Sequence, residues 1–121
     1  MRTVEVRLGK LSINAEIADN FLKKAKGLMF RKNLPQNSGM LFIFNKEGHH
    51  PFWMMFTRIP LDIIWLDSDG KIVHIERNVK PSLVSFRSYG PKQKSKYVVE
   101  TNGNITEMYG IKVGDKVELS I

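Results

Sequence analysis

Apolar and polar residues alternate from the start of the chain: Val4, Val6 and Leu8 stand against Glu5 and Arg7, and beyond Gly9-Lys10 the alternation resumes with Leu11, Ile13, Ala15 and Ile17. A period of two on either side of a turn pair predicts a hairpin of two half-buried strands. From Asp19 the period changes. Phe21, Leu22, Ala25, Leu28 and Met29 are spaced for one face of a helix of about ten residues, with Asp19 as its N-cap, Lys23, Lys24 and Lys26 toward solvent and Gly27 at its C-terminal turn. Arg31 to Ser38, with Pro35, is loop. Gly39 to Phe44 is a continuous apolar run of strand length, predicted to be buried on both faces.

After a loop carrying Gly48, His49 and His50, Phe52 to Phe56 reads as a short strand. Pro60 interrupts the pairing. Leu61 to Leu66 resumes it, and Asp67-Ser68-Asp69-Gly70 turns the chain back as Lys71 to Glu76. Residues 78–95 carry two prolines and no clean period, the mark of an irregular functional or mobile stretch. Tyr97 to Thr101 is a strand, Asn104 to Tyr109 a short helix ending at Gly110, and Lys116 to Ile121 a closing strand. The expected fold class is therefore mainly β (α+β): an antiparallel curled sheet, barrel-like or a sandwich, with one or two short helices and no parallel α/β rhythm.

At 121 residues, with no repeat and no linker long enough to separate two cores, residues 1–121 are expected to form a single domain. The chain contains no cysteine, which removes disulfide scaffolds, thiolate zinc sites and cysteine nucleophiles. Its N-terminus is charged and alternating rather than apolar like a signal peptide, and no run approaches the roughly 18 apolar residues of a membrane helix. The expectation is a cytoplasmic chain with no membrane partner, monomeric or a small homo-oligomer. Net charge is +7, and the excess is concentrated. Arg77, Lys80, Arg87, Lys92, Lys94 and Lys96 follow one another with no acidic residue between them, and Phe86, Tyr89 and Tyr97 are interleaved. That composition suits a polyanion or single-stranded nucleic acid, although no recognised nucleic-acid module accompanies it.

Candidate chemistry centres on Pro51 to Asp62, PFWMMFTRIPLD. Its aromatic and methionine density is that of a concave apolar ligand site, and equally that of a core. Strand alternation places Asp62 on the face of Ile64 and Leu66, so its carboxylate needs partners, with Thr57, Arg31 and Arg58 as candidates. It is read either as a structural cap for the backbone amides of the Pro-containing bend or as a pocket acid or ligand anchor. Met29, Met40, Met54 and Met55 with His49 and His50 have the ligand chemistry of Cu(I) without a diagnostic spacing, and His74 reads as structural. Asp67 to Gly70 lacks the later ligands of a calcium loop. Ser68 to Lys71 matches S-x-x-K without the motifs that accompany it in serine enzymes.

Gly27-Leu28-Met29-Phe30-Arg31, Leu34-Pro35, Gly39-Met40-Leu41-Phe42, Phe52-Trp53-Met54, and Thr57 followed by Pro60-Leu61-Asp62 occur in that order. With Tyr97-Val98-Val99-Glu100 and Gly110-Ile111-Lys112-Val113-Gly114-Asp115, this set resembles the family catalogued as domain of unknown function 192, over nearly the whole chain. The resemblance implies a compact strand-rich domain and no particular activity. Members usually carry Lys-Asn where this chain has Met55-Phe56, which leaves Thr57, Asp62 and Arg31 as the polar candidates.

The leading expectation is a non-enzymatic ligand-binding or accessory domain without cofactor or metal, taking a small molecule or a protein partner. Its site is an apolar cleft built from Arg31, Trp53, Met54, Thr57 and Asp62. Polyanion or RNA binding through Arg77 to Lys96 and an enzyme using Asp62 are the alternatives.

Overall fold

The computed structural model describes residues 2–121. The opening hairpin is β1 (Thr3–Leu8) and β2 (Leu11–Ala18), paired antiparallel from Leu8↔Leu11 to Thr3↔Glu16. Its alternation resolves as expected, with Val6, Leu8, Leu11, Ile13 and Ala15 buried. Then follow α1 (Phe21–Lys26), β3 (Ser38–Gly48), β4 (Phe52–Trp53), β5 (Leu61–Leu66), β6 (Ile72–Val79), β7 (Ser88–Tyr89), β8 (Ser95–Asn102), α2 (Ile105–Met108) and β9 (Val117–Leu119). Seven strands form one sheet in the order β6-β5-β8-β3-β2-β1-β9, and β4 pairs with β7 in a separate ribbon. The molecule is mostly β, a curled half-barrel with two short helices.

The curl brings the sheet's two ends together. Beside the turn at Gly70, Ile72 N donates to Asp115 O at 2.9 Å, Gly114 N to Ile72 O at 2.9 Å, and Val117 N to Gly70 O at 2.8 Å. Lys71 and Lys116 form an antiparallel bridge between them. This seam joins the start of β6 to the start of β9.

Four features differ from the sequence expectation. β2 and β3 are parallel, from Asn14↔Ser38 to Ala18↔Phe42, because the chain between them crosses over through α1 instead of turning back. α1 has six residues rather than ten, and Asn20, not Asp19, caps it, its side chain accepting from Lys23 N at 2.9 Å. Gly27 ends it at φ 50°, and Leu28 and Met29 lie beyond that stop. The strand expected over Phe52–Phe56 ends at Trp53, where a turn takes over and Thr57 N donates to Met54 O at 2.9 Å. Residues 78–95 are not wholly irregular, since β6 runs on to Val79 and β7 pairs with β4.

Both faces of the sheet are covered at its centre. The concave side encloses a cluster of Val6, Leu8, Ile13, Leu41, Ile64, Leu66, Val99 and Val117 with Ile105 and Ile111. The opposite side carries Met40, Phe42, Leu61, Ile63, Trp65 and Val98, under Leu28, Leu34, Met54 and Ile59 from the connecting segments. Every residue of β5 is buried. A strand read on two apolar faces cannot alternate, which is why Leu61 to Leu66 carries one polar residue, Asp62.

Candidate functional site

The cover on the convex side is incomplete. Between α1, the turn at Gly27–Met29, β3 and the β4–β7 ribbon lies a cleft of about 760 Å³, within the size range of small-molecule sites. Its wall is aromatic. Phe42 and Phe52 meet edge to face at 4.7 Å, Phe52 also meets Phe44 at 6.3 Å, and Phe44 stacks on His50 at 3.7 Å. The register Trp53↔Ser88 sets both side chains on the cleft, and Trp53 is half-exposed there, beside Phe86 at 5.9 Å. Lys24 folds back from α1, its Nζ 4.6 Å from the centre of the Phe44 ring.

Glu100 lines the same cleft. It lies on β8, paired with Met40 on β3 and Ile63 on β5, and so shares their face of the sheet. Its Oε1 lies under Gly27, 3.7 Å from where a Cβ would stand, and the Phe42 ring is 3.4 Å from the same point. Gly27 has a backbone conformation in the positive-φ region that suits glycine, and its bare Cα lets the end of α1 rest on the carboxyl. Glu100 is 4% exposed, and among the described residues no side-chain hydrogen bond or ion pair reaches its carboxyl. Burial alone pushes it up from an ordinary 4.5 to about 8, so at neutral pH it is mostly a neutral acid.

The sequence-predicted site residues part company around this cleft. Trp53 and Thr57 line it. Thr57 is held by a two-way backbone bridge to Ser82, both bonds at 3.1 Å. Met54 is buried in the convex-side core with Met40, while Met29 lines the cleft. Arg31 makes a two-pronged ion pair with Glu16 that holds the Glu16 carboxyl below the usual carboxylate range. Glu16 pairs with Met40 in register, which places it two strands from Glu100 on the same face.

Asp62 faces the other side of the sheet. One of its oxygens accepts from Asn78 N at 2.7 Å and Asn104 N at 2.9 Å, the other from Thr106 N at 2.8 Å and Thr106 Oγ1 at 2.6 Å. This carboxylate caps α2, whose N-cap Asn104 supplies no side-chain bond of its own. Asp62 does cap backbone amides, but those of Asn78, Asn104 and Thr106 rather than those of the bend before Pro60, and none of Thr57, Arg31 and Arg58 bonds it.

The basic segment is divided among several elements. Arg77 is committed to the fold, donating to Thr106 Oγ1 at 2.9 Å and Ile111 O at 2.7 Å. Arg87 covers Tyr89, and Lys96 on β8 reaches Asn45 O at 3.4 Å. Lys80, Lys92 and Lys94 are exposed. His50 is occupied by Phe44 and by Lys46 O, and His74 by Glu76 at 2.6 Å.

Sequence reasoning passed over Glu100 because a charged residue alternating with Val99 near a strand end looks solvated. The available signal was its neighbours: β8 pairs between β3, whose apolar run already reads as buried on both faces, and β5, whose run Leu61–Leu66 carries a single polar residue.

A curled β half-barrel with an aromatic cleft on its convex face is the class of protein that fold and site define. The chain belongs to the family of domain of unknown function 192, described as "Uncharacterized ACR", whose model matches residues 4–119. It is 35% identical over 108 residues to a UPF0127 protein of Pyrococcus abyssi, covering 85% of this chain and 83% of that one. It is 34% identical to another from Pyrococcus furiosus, covering 95% of each. Two solved structures share the fold. A protein of unknown function from Novosphingobium aromaticivorans is 36% identical, with a TM-score of 0.86 over 96% of this chain and 83% of its own. A candidate transcription regulator from Sinorhizobium meliloti is 29% identical, with a TM-score of 0.92 over 98% of this chain and 95% of its own. None of these indicates a specific activity. Among the described residues no helix is long and apolar enough to cross a membrane.

Proposed function

We propose that the chain is a small-molecule-binding domain whose site is the cleft between α1 and the β4–β7 ribbon. Trp53 and Thr57 belong to its wall, and Glu100 is its polar anchor. The observation that carries this reading is the bare carboxyl of Glu100, enclosed but open to the cleft. A buried polar group normally has its hydrogen bonds satisfied within the protein. One left without protein partners, facing an apolar cavity, is arranged for a partner that arrives from outside.

Two tryptophans make the test direct. Trp65 is fully buried, its Nε1 donating to His50 O at 2.9 Å, whereas Trp53 stands at the cleft. A ligand entering the cleft shifts Trp53 emission and raises the melting temperature, and Trp53→Phe abolishes the first response but not the second. A diverse screen of amines, amides and carboxylates that moves neither signal overturns the proposal.

A further inference from the structure

The cleft's chemistry also narrows its ligand, on the footing that the cleft binds small molecules at all. We propose that its ligand class is an alkyl- or arylalkylammonium, with the charged nitrogen against the Glu100 carboxyl beside the Phe42 ring and the apolar body along Phe44, Phe52 and Trp53. Three observations support it. The carboxyl is enclosed with no protein cation paired to it among the described residues. It shares the cleft with the Phe42, Phe44, Phe52 and Trp53 rings, and aromatic faces attract cations through their ring quadrupoles. One of those rings already takes a cation, since the Lys24 ammonium rests 4.6 Å over Phe44.

A neutral ligand would leave the carboxyl protonated and gain one ordinary hydrogen bond. An ammonium drives off that proton and gains a charge-assisted bond, which is about twice as strong. The two modes therefore have opposite pH dependence. The charged or titratable groups around the cleft are Asp19, Lys24 and Lys26 at α1, the Glu16–Arg31 pair toward β2, and His50 behind Phe44. β3 and the β4–β7 ribbon present only uncharged side chains to the cleft. Glu16 stays ionised because Arg31 holds its carboxyl low. His50 is the imidazole that stacks on the cleft's Phe44 ring, so His50→Asn serves as the control for it.

Calorimetry with phenethylamine, its neutral counterpart 3-phenylpropionamide and the anion 3-phenylpropionate separates the outcomes. Phenethylamine should bind best, with an affinity rising roughly tenfold from pH 6 to 7 and levelling above pH 8. It should release close to one proton at pH 7, seen as a buffer-dependent heat. Glu100→Gln should cut its affinity at least tenfold by about the strength of a charge-assisted bond, and remove the pH dependence while sparing the amide. The profile and proton release of the unaltered protein stand whether or not that variant folds. Equal or tighter binding of the amide or the propionate, or amine binding indifferent to pH, overturns the cation class and leaves the ligand site in place. Absence of heat from all three probes, with no response in the wider screen, overturns both.

Discussion

Asp62 and Glu100 are carried into the interior by neighbouring strands, and they meet opposite fates there. The oxygens of Asp62 accept four hydrogen bonds from Asn78, Asn104 and Thr106, which repay the desolvation of its charge. Glu100 has none among the described residues, and burial makes it give up its charge instead. Asp62→Asn places an amide donor among donors and should cost roughly 3 kcal/mol of stability, as a midpoint shift in urea shows. For Glu100 the sign runs the other way. Its folded value near 8 lies above the unfolded 4.5, so the folded state holds the proton more tightly. Stability is then fully present below about pH 4.5 and falls with rising pH through 8, by up to about 1.4 kcal/mol per pH unit. Glu100→Gln should flatten that slope and leave the variant more stable than the unaltered chain at pH 8; a slope unchanged by the substitution would show that the carboxyl does not titrate in this range.

At the scale of elements, α1 is the anomaly. Its sequence has the spacing of an amphipathic helix, yet none of its residues is buried, and Phe21 and Leu22 are 82% and 77% exposed. The apolar residues that anchor this region come after it, beginning with Leu28 below the Gly27 stop. Leu22→Ser should therefore change stability by less than about 0.5 kcal/mol, while Leu28→Ala should cost about 2–4 kcal/mol, both read from thermal unfolding. Periodicity located this helix and exaggerated it, because a pattern of apolar positions does not say whether a surface is present to receive them. The hairpins were more legible. Leu61–Leu66 and its return strand declared themselves through the Asp67–Gly70 turn, whereas the Phe52–Tyr89 and Trp53–Ser88 pairs join segments with no alternation to reveal them.

For the whole molecule, the legible part was the class and the hidden part was the layering. Alternation and turn chemistry in the opening hairpin and in β5 and β6 declare a curled sheet. The parallel β2–β3 pair depends on a crossover of residues 19–37, and loops of that length can return on either side. The same crossover lays the end of α1 above Glu100 and so makes the cleft, which is why Glu100, unlike Trp53 and Thr57, was not readable as a residue of its lining. Asp62 was legible as buried, but its partners come from residues 16 to 44 positions further along the chain, beyond the reach of local pattern.

The seam beside Gly70 has a consequence for behaviour at high concentration. An open sheet offers unpaired amides and carbonyls along its outer strands, a template onto which other chains can add. Here Ile72 at the head of β6 bonds Gly114 and Asp115, Val117 at the head of β9 bonds Gly70, and Arg77 draws the segment around Ile111 toward β6. Gly70 sits at φ 83°, and a Cβ there would lie 2.7 Å from Val117 O. Gly70→Ala should therefore part the two strands at a cost of more than about 1 kcal/mol, and light scattering should detect concentration-dependent association that the unaltered chain lacks. Closing the half-barrel in this way leaves fewer unpaired edge groups onto which another chain could add.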